Sequence, residues 1–142
     1  MKRDTTRLFC NIHPLGTLKT YKYVVVLSHE NGEILLSRRR DRTTWETQGG
    51  HVEPGETPMD AARRELYEES GALQFEIVPL CDYFGYDDES SSNGMVFVAE
   101  IRSRGPLPQS EMAEVRAFSA LPENLTYPNV TPTLFAWADA QK

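Results

Sequence analysis

Glu65, Glu68 and Glu69 stand at positions i, i+3 and i+4, and this spacing is what could do chemistry in the 142-residue chain. In a helix, residues three and four apart share a face, so all three carboxylates would crowd one surface. Like charges so placed repel each other. A hard divalent cation relieves that repulsion: magnesium takes oxygen ligands, keeps several waters and is usually shared with substrate phosphates. The plainer alternative is a solvated acidic face, with Arg63 and Arg64 as partial counterions. Arg64 is spaced to pair with Glu68 one turn on, which could orient a ligand carboxylate.

The helix that must carry these groups has both ends written into it. Thr57 is a candidate N-cap, Pro58 suits the first helical position, and Asp60 follows the cap by three residues. Gly71 falls where a helix closes in a left-handed residue. Between them the chain predicts about four helical turns. Met59, Ala62 and Leu66 form a neighbouring stripe that can bury against a sheet.

Taken together, Gly50 to Ala72 reads GHVEPGETPMDAARRELYEESGA. Gly50 is followed after five residues by Glu56, and seven residues later by Arg64-Glu65-Leu66. Glu68-Glu69 and Gly71-Ala72 complete nine positions in register. This pattern resembles the Nudix box, the signature of hydrolases acting on a nucleoside diphosphate linked to another group. The resemblance implies an α/β (α+β) fold, a mixed β-sheet sandwiched between helices. It implies metal ligation by Glu65, Glu68 and Glu69, completed by the backbone carbonyl of Gly49, with Mg²⁺ (or Mn²⁺) as cofactor. Glu56 and Arg64 would support the ligands, and Gly49-Gly50 would allow a tight bend close to metal. Two or three ions would bridge the diphosphate and activate a water.

The general base stays open among four glutamates. Glu65 or Glu68 could accept the proton within the box. In several relatives a further glutamate precedes the last strand; Glu111 matches that position best, with Glu114 as the rival. Two departures from the family stand out. Ala72 replaces a bulkier aliphatic residue, and Trp45-Glu46-Thr47-Gln48 lacks the proline that many nucleotide-sanitising members carry before Gly-Gly. Against that, Leu121-Pro122-Glu123-Asn124-Leu125 resembles a segment of enzymes acting on oxidised guanine nucleotides. A nucleoside triphosphate such as 8-oxo-dGTP is the best single substrate expectation.

Substrate contacts are sought outside the box. Arg38, Arg39, Arg40 and Arg42 form the only basic cluster, and on a strand Arg38 and Arg40 would point one way. Either could hold phosphate, or both could be solvated edge charges. Trp45, Tyr83, Phe84, Tyr86 and Tyr127 could stack a base or pack a core, with Tyr83 the preferred base contact. His51, after the double glycine, is either a metal-site neighbour or a bystander.

The remaining chain reads as scaffold. Tyr21–Ser28 and Glu33–Arg38 are β-rich runs around His29-Glu30-Asn31-Gly32, and Asn-Gly is a strong hairpin signal. Further strands are expected over Thr44–Gln48, Phe75–Tyr86, Met95–Arg102 and Val115–Ser119, with a mobile polar loop over Asp87–Gly94. Thr131 and Pro132 suggest the cap and first turn of a closing helix, with Leu134, Phe135, Trp137 and Ala138 on its apolar side.

Composition narrows the class. With 39% hydrophobic and 25% charged residues the chain suits one globular domain, residues 1–142. A net charge of −6 argues against broad nucleic-acid binding. No apolar run is long enough to span a membrane, and the N-terminus lacks a secretory leader, so a cytoplasmic enzyme is expected. Cys10 and Cys81 fit no metal spacing and are expected to be reduced thiols. The expected partner is a nucleotide or other diphosphate-containing small molecule, and a homodimer is compatible. Two alternatives remain: a non-catalytic module sensing a nucleotide sugar or ADP-ribose, and an isopentenyl-diphosphate isomerase. The isomerase is suggested by Gly49-Gly50-His51 near Trp45, but it needs a catalytic cysteine that neither Cys10 nor Cys81 matches in placement.

Overall fold

A computed structural model describes residues 4–142; Met1–Arg3, part of the N-terminal stretch read for a leader, lie outside it. A turn of 3₁₀ helix at Thr5–Arg7 is followed by strands β1 (Phe9–His13), β2 (Tyr23–Glu30), β3 (Glu33–Arg39) and β4 (Gln48–His51). Helix α1 spans Pro58–Ser70, then come β5 (Ala72–Tyr86), β6 (Ser91–Arg104), β7 (Met112–Phe118) and helix α2 (Thr131–Ala140). The strands form one mixed sheet in the order β1-β5-β6-β2-β3-β7, with β4 pairing β2. Only β2 and β6 run parallel among these pairs.

The second edge of β2 is divided. Its C-terminal half pairs with β3 from Ser28 to Glu30, and its N-terminal half pairs with β4 from Tyr23 to Val26. The strand that carries the double glycine is thereby inserted where the β2–β3 hairpin splays. Asn31 and Gly32, both at positive φ, close that hairpin as its Asn-Gly sequence predicts.

Alternating side chains of β2 serve two cores. Val24 and Val26 face α1 and pack with Ala61, Ala62 and Leu66, all fully buried, with Met59 against them. Val25 and Leu27 join the opposite core, where Leu134, Phe135 and Ala138 of α2 meet Val96 and Tyr83. Two layers of helix thus cover the sheet, one on each face.

Several boundaries differ from the sequence reading. The strand expected at Thr44–Gln48 lies instead at Gln48–His51, as β4; Trp45 and Glu46 make only isolated bridges to Leu125 and Ser37. β1 escapes a pattern reading because it is a short edge strand that pairs with the far end of β5. The second half of the polar Asp87–Gly94 segment is strand: β6 begins at Ser91, and Asp87 closes the turn by accepting from the amides of Glu89 and Ser90. β5 begins at Ala72, three residues early, through irregular pairing with the end of β6. β7 likewise begins at Met112, whose fully buried side chain anchors it. Val130, not Thr131, is the N-cap of α2, and it makes no side-chain cap bond. No helix among the described residues is long and apolar enough to cross a membrane.

Candidate active site

The local chemistry of α1 positions the acidic face. Thr57 accepts from the Asp60 amide and the Asp60 carboxylate accepts from the Thr57 amide, a reciprocal capping box with Pro58 beginning the helix. Gly71 closes the other end at φ 78°, donating its N–H to the Tyr67 carbonyl. A buried polar chain fixes the C-terminal turn to the sheet. Ser28 donates to Gln48, Gln48 donates to Ser37, and Ser37 donates to the Glu69 carbonyl at 2.8 Å. Gln48 thus fills the position before Gly-Gly, where a proline could donate no such bonds.

Arg64 is the hub of the face. Nε and Nη2 hold Glu56 at 2.7 and 3.0 Å, while Nη1 reaches Glu65 at 2.8 Å and Glu68 at 2.9 Å. Nη2 also donates to the His51 carbonyl at 3.1 Å, which ties the hub to β4. Arg64 holds the Glu56 carboxyl down to about 2, with the Glu53 backbone contact assisting.

Glu65 and Glu69 have the opposite environment. Burial raises both carboxyls above the ordinary carboxylate value. For Glu65, Arg64 opposes the shift and the Glu68 charge adds to it. For Glu69, the Gly49 N–H opposes it, while the charges of Glu65 and Glu46 add to it.

The double glycine brings β4 against this face. The Gly49 N–H donates to the Glu69 carboxylate at 2.8 Å, so it points off the β2 edge. In an antiparallel ladder the carbonyl of that residue faces the same way, toward the carboxylates. A Cβ on Gly50 would lie 2.5 Å from the Glu65 carboxylate, and one on Gly49 would collide with the Val24 carbonyl. Only glycine permits this approach.

Hard oxygen donors crowded on one face, with burial pushing Glu65 and Glu69 up, fit a divalent cation, which would offset their mutual repulsion. Among the described residues, however, no three acidic, histidine or cysteine side chains are gathered as a ligand set. Arg64 engages Glu65 and Glu68 instead.

Beside the acidic face lies a cleft of about 290 Å³, with Gly49 and Gly50 in its wall. Tyr23, Tyr83, Tyr127, His51 and Arg42 line it, closed below by α2. Tyr23 meets the Tyr83 ring edge-on at 5.2 Å and the His51 ring at 6.3 Å.

The other candidates disperse. Trp45 is buried against Phe118, with the Arg116 guanidinium 4.9 Å over its ring. Phe84 and Tyr86 stack with each other, and Tyr86 with Phe9. Arg38 donates to the Arg42 carbonyl and pairs with Glu114; Arg39 pairs with Glu111 and Asp41. Arg40 donates to the Ser110 carbonyl. β3 ends at Arg39 after a bulge, so strand alternation never reaches Arg40. Glu111 is strongly exposed, and its carboxylate is engaged by Arg39 rather than by the box. Glu114, its rival as base, pairs with Arg38 and Arg116.

Sequence reasoning passed over Tyr23, Glu46 and Gln48. Tyr23 looked like one more strand aromatic, and the polar pair acquires meaning only through partners far along the chain. Cys10 and Cys81 are unbonded thiols. Burial raises them to about 11 and about 12, with Asp82 and Cys10 adding to the shift at Cys81. Neither lines the cleft, which leaves the isomerase reading without its nucleophile.

An acidic helix face meeting a glycine strand, on a mixed sheet between two helices, defines a class of phosphate-handling α/β domain. The chain belongs to the NUDIX domain family, whose model matches residues 19–137. It is 34% identical over 86 residues to an RNA pyrophosphohydrolase of Francisella philomiragia, covering 58% of this chain and 50% of that protein. It is 47% identical over 49 residues to a Bacillus subtilis protein provisionally assigned as an 8-oxo-dGTP diphosphatase, covering 34% and 32%. The chain therefore spans half or less of these curated relatives. The crystal structure of the Bacillus subtilis pyrophosphohydrolase BsRppH superposes with a TM-score of 0.78 at 23% identity, covering 94% of this chain and 89% of that one. Members of the family use divalent metal ions.

Proposed function

We propose that residues 1–142 act as one metal-dependent, cytoplasmic hydrolase domain that cleaves a phosphoric anhydride bond of a nucleoside 5′-triphosphate. The observation that carries this reading is the Gly49-Gly50 backbone, shared between the acidic face and the aromatic cleft. A nucleoside in the cleft would place its phosphates beside Glu65, Glu68 and Glu69. The triphosphate is either free, as in 8-oxo-dGTP, or the 5′ end of an RNA; the named relatives support both forms.

Magnesium or manganese would neutralise the phosphates and lower the pKa of the attacking water. The chain's own residues position and hold. Glu65, Glu68 and Glu69 supply carboxylate oxygens, Arg64 and Glu56 orient them, and the Gly49 backbone fixes Glu69. Glu65 or Glu68 accepts the water's proton, with Glu111 as the candidate outside the box. If Glu111 is the base, Glu111→Gln lowers kcat by about a hundredfold; a loss below about threefold excludes it.

Purified protein incubated with magnesium or manganese and a panel of nucleoside triphosphates, ADP-ribose, nucleotide sugars and triphosphorylated RNA tests the reading. Turnover of a triphosphate, abolished in Glu68→Gln and Glu69→Gln, supports it. Failure to bind either cation defeats it. The engagement of Glu65 and Glu68 by Arg64 favours one second reading, a sensing module. Tight nucleotide binding without turnover at saturating metal would select that one.

A further inference from the structure

Of the four arginines clustered at residues 38–42, just before β4, the structure treats one differently. Arg38, Arg39 and Arg40 turn to carbonyls and to the carboxylates of Glu114, Glu111 and Asp41. Arg42 alone among them lines the cleft. Its Nη1 donates at 3.1 Å to Glu46, a carboxylate only 7% exposed. Glu46 is fixed in turn by the Thr126 hydroxyl at 3.2 Å, and Thr126 by the Thr44 hydroxyl at 2.7 Å. The Tyr127 side chain lies close enough to the guanidinium to act on it as well. A guanidinium carries five N–H donors in a planar fork, which these two partners do not exhaust.

We infer that Arg42, braced by Glu46, is a specificity-determining residue that reads the N7 and O6 acceptors of a guanine base held in the cleft. This inference rests on the nucleotide reading above. The charge of Arg42 is balanced by Glu46, so the pair presents directed N–H groups rather than a net positive charge. That suits an uncharged base better than a phosphate. The adjoining wall is aromatic: Tyr23 and Tyr127, both half-buried, offer ring surface for a base, and the buried Tyr83 backs Tyr23 edge-on, whereas the carboxylate face lies across Gly49-Gly50. Guanine presents two adjacent acceptors to an arginine fork, while adenine presents an acceptor beside an amino donor. In 8-oxoguanine N7 carries a hydrogen and is no longer an acceptor, so the undamaged base is the one the fork matches.

Nucleoside monophosphates give a readout that needs no catalysis. GMP, AMP and 8-oxo-GMP are titrated calorimetrically into the wild-type protein, Arg42→Lys and Arg42→Gln. GTP and ATP turnover and thermal melting are measured alongside. GMP is expected to bind about tenfold tighter than AMP or more, and tighter than 8-oxo-GMP. Arg42→Lys keeps the charge opposite Glu46 but lacks the planar fork, and should lower the GMP-to-AMP ratio about threefold or more without changing melting. Arg42→Gln should do the same if it folds; Arg42→Lys alone decides if it does not. An unchanged ratio in Arg42→Lys overturns the inference. So does equal weakening of both monophosphates, which would mark a phosphate contact, or binding of neither by the wild-type protein. Base discrimination without turnover of any triphosphate would defeat the hydrolase reading and leave this one standing. Equal turnover of GTP and ATP, with equal monophosphate binding, would do the reverse.

Discussion

The two sides of Gly49-Gly50 are built by opposite means. On one side, Glu56, Arg64, Glu65, Glu68 and Glu69 come from a 14-residue stretch, and one capped helix sets their mutual geometry. On the other, the cleft draws Tyr23 from β2, Arg42 from a loop, Tyr83 from β5, Tyr127 from the segment before α2, and Leu134 from α2 itself. The acidic face is crowded, charged and short-range in sequence; the cleft is aromatic and long-range. On the proposed function, this division separates a chemistry common to many substrates from the choice of one substrate. It also predicts that damage on the two sides will differ in kind, in turnover on one and in discrimination on the other.

The strongest way to break the comparison lies in the carboxylates. Glu68→Gln and Glu69→Gln should each lower kcat by about a hundredfold or more while GMP affinity in the cleft stays unchanged. Equal loss of binding would show that the two sides are not separable. Next comes Arg64→Lys, which cannot reproduce the bidentate grip on Glu56 together with contacts to Glu65 and Glu68. Initial-rate kinetics should show turnover reduced about 10- to 100-fold, with a raised metal requirement and little change in KM.

The partly buried carboxyls of Glu65 and Glu69 give the acidic face a pH signature. Both carboxyls are raised in the folded chain, so their contribution to stability is present below the ordinary value of 4.5 and is lost as pH rises through the folded values. In chelator, Tm should therefore fall above pH 4.5 relative to a Glu69→Gln variant. Magnesium should narrow that gap, and calorimetric scans across pH 5–8, roughly the usual range of maximal stability, would show it. A pH-independent difference between wild type and Glu69→Gln would count against the raised carboxyls. The smallest effect is expected at Arg38→Ala and Arg40→Ala, whose side chains are occupied within the protein. KM should change by less than about twofold, and a larger rise would restore their phosphate role and extend the substrate surface beyond the cleft.

The sequence was legible where geometry depends on neighbours in the chain. Thr57, Pro58, Asp60 and Gly71 dictate where α1 starts and stops, because capping groups and left-handed closure act over three or four residues. Asn31-Gly32 closed its hairpin for the same reason. The strand at Gln48–His51 was misplaced because nothing in Thr44–Gln48 shows that Trp45 will bridge to Leu125 and Glu46 to Ser37. Arg38 and Arg40 were preferred over Arg42 on strand alternation, which a bulge and the end of β3 interrupt.

By itself, then, the sequence determined the acidic helix, its caps, the glycines beside it and the helix stripe that buries against the sheet. Helical periodicity fixes which side chains share a face before any tertiary contact exists. Only the tertiary structure decided that β4 enters the splayed β2 edge, that Gln48 links Ser28 to the end of α1, and that Arg42 faces the cleft while its neighbours turn away. Those outcomes depend on pairing between segments tens of residues apart. A local pattern carries no information about which partner a buried polar group or an arginine fork will meet.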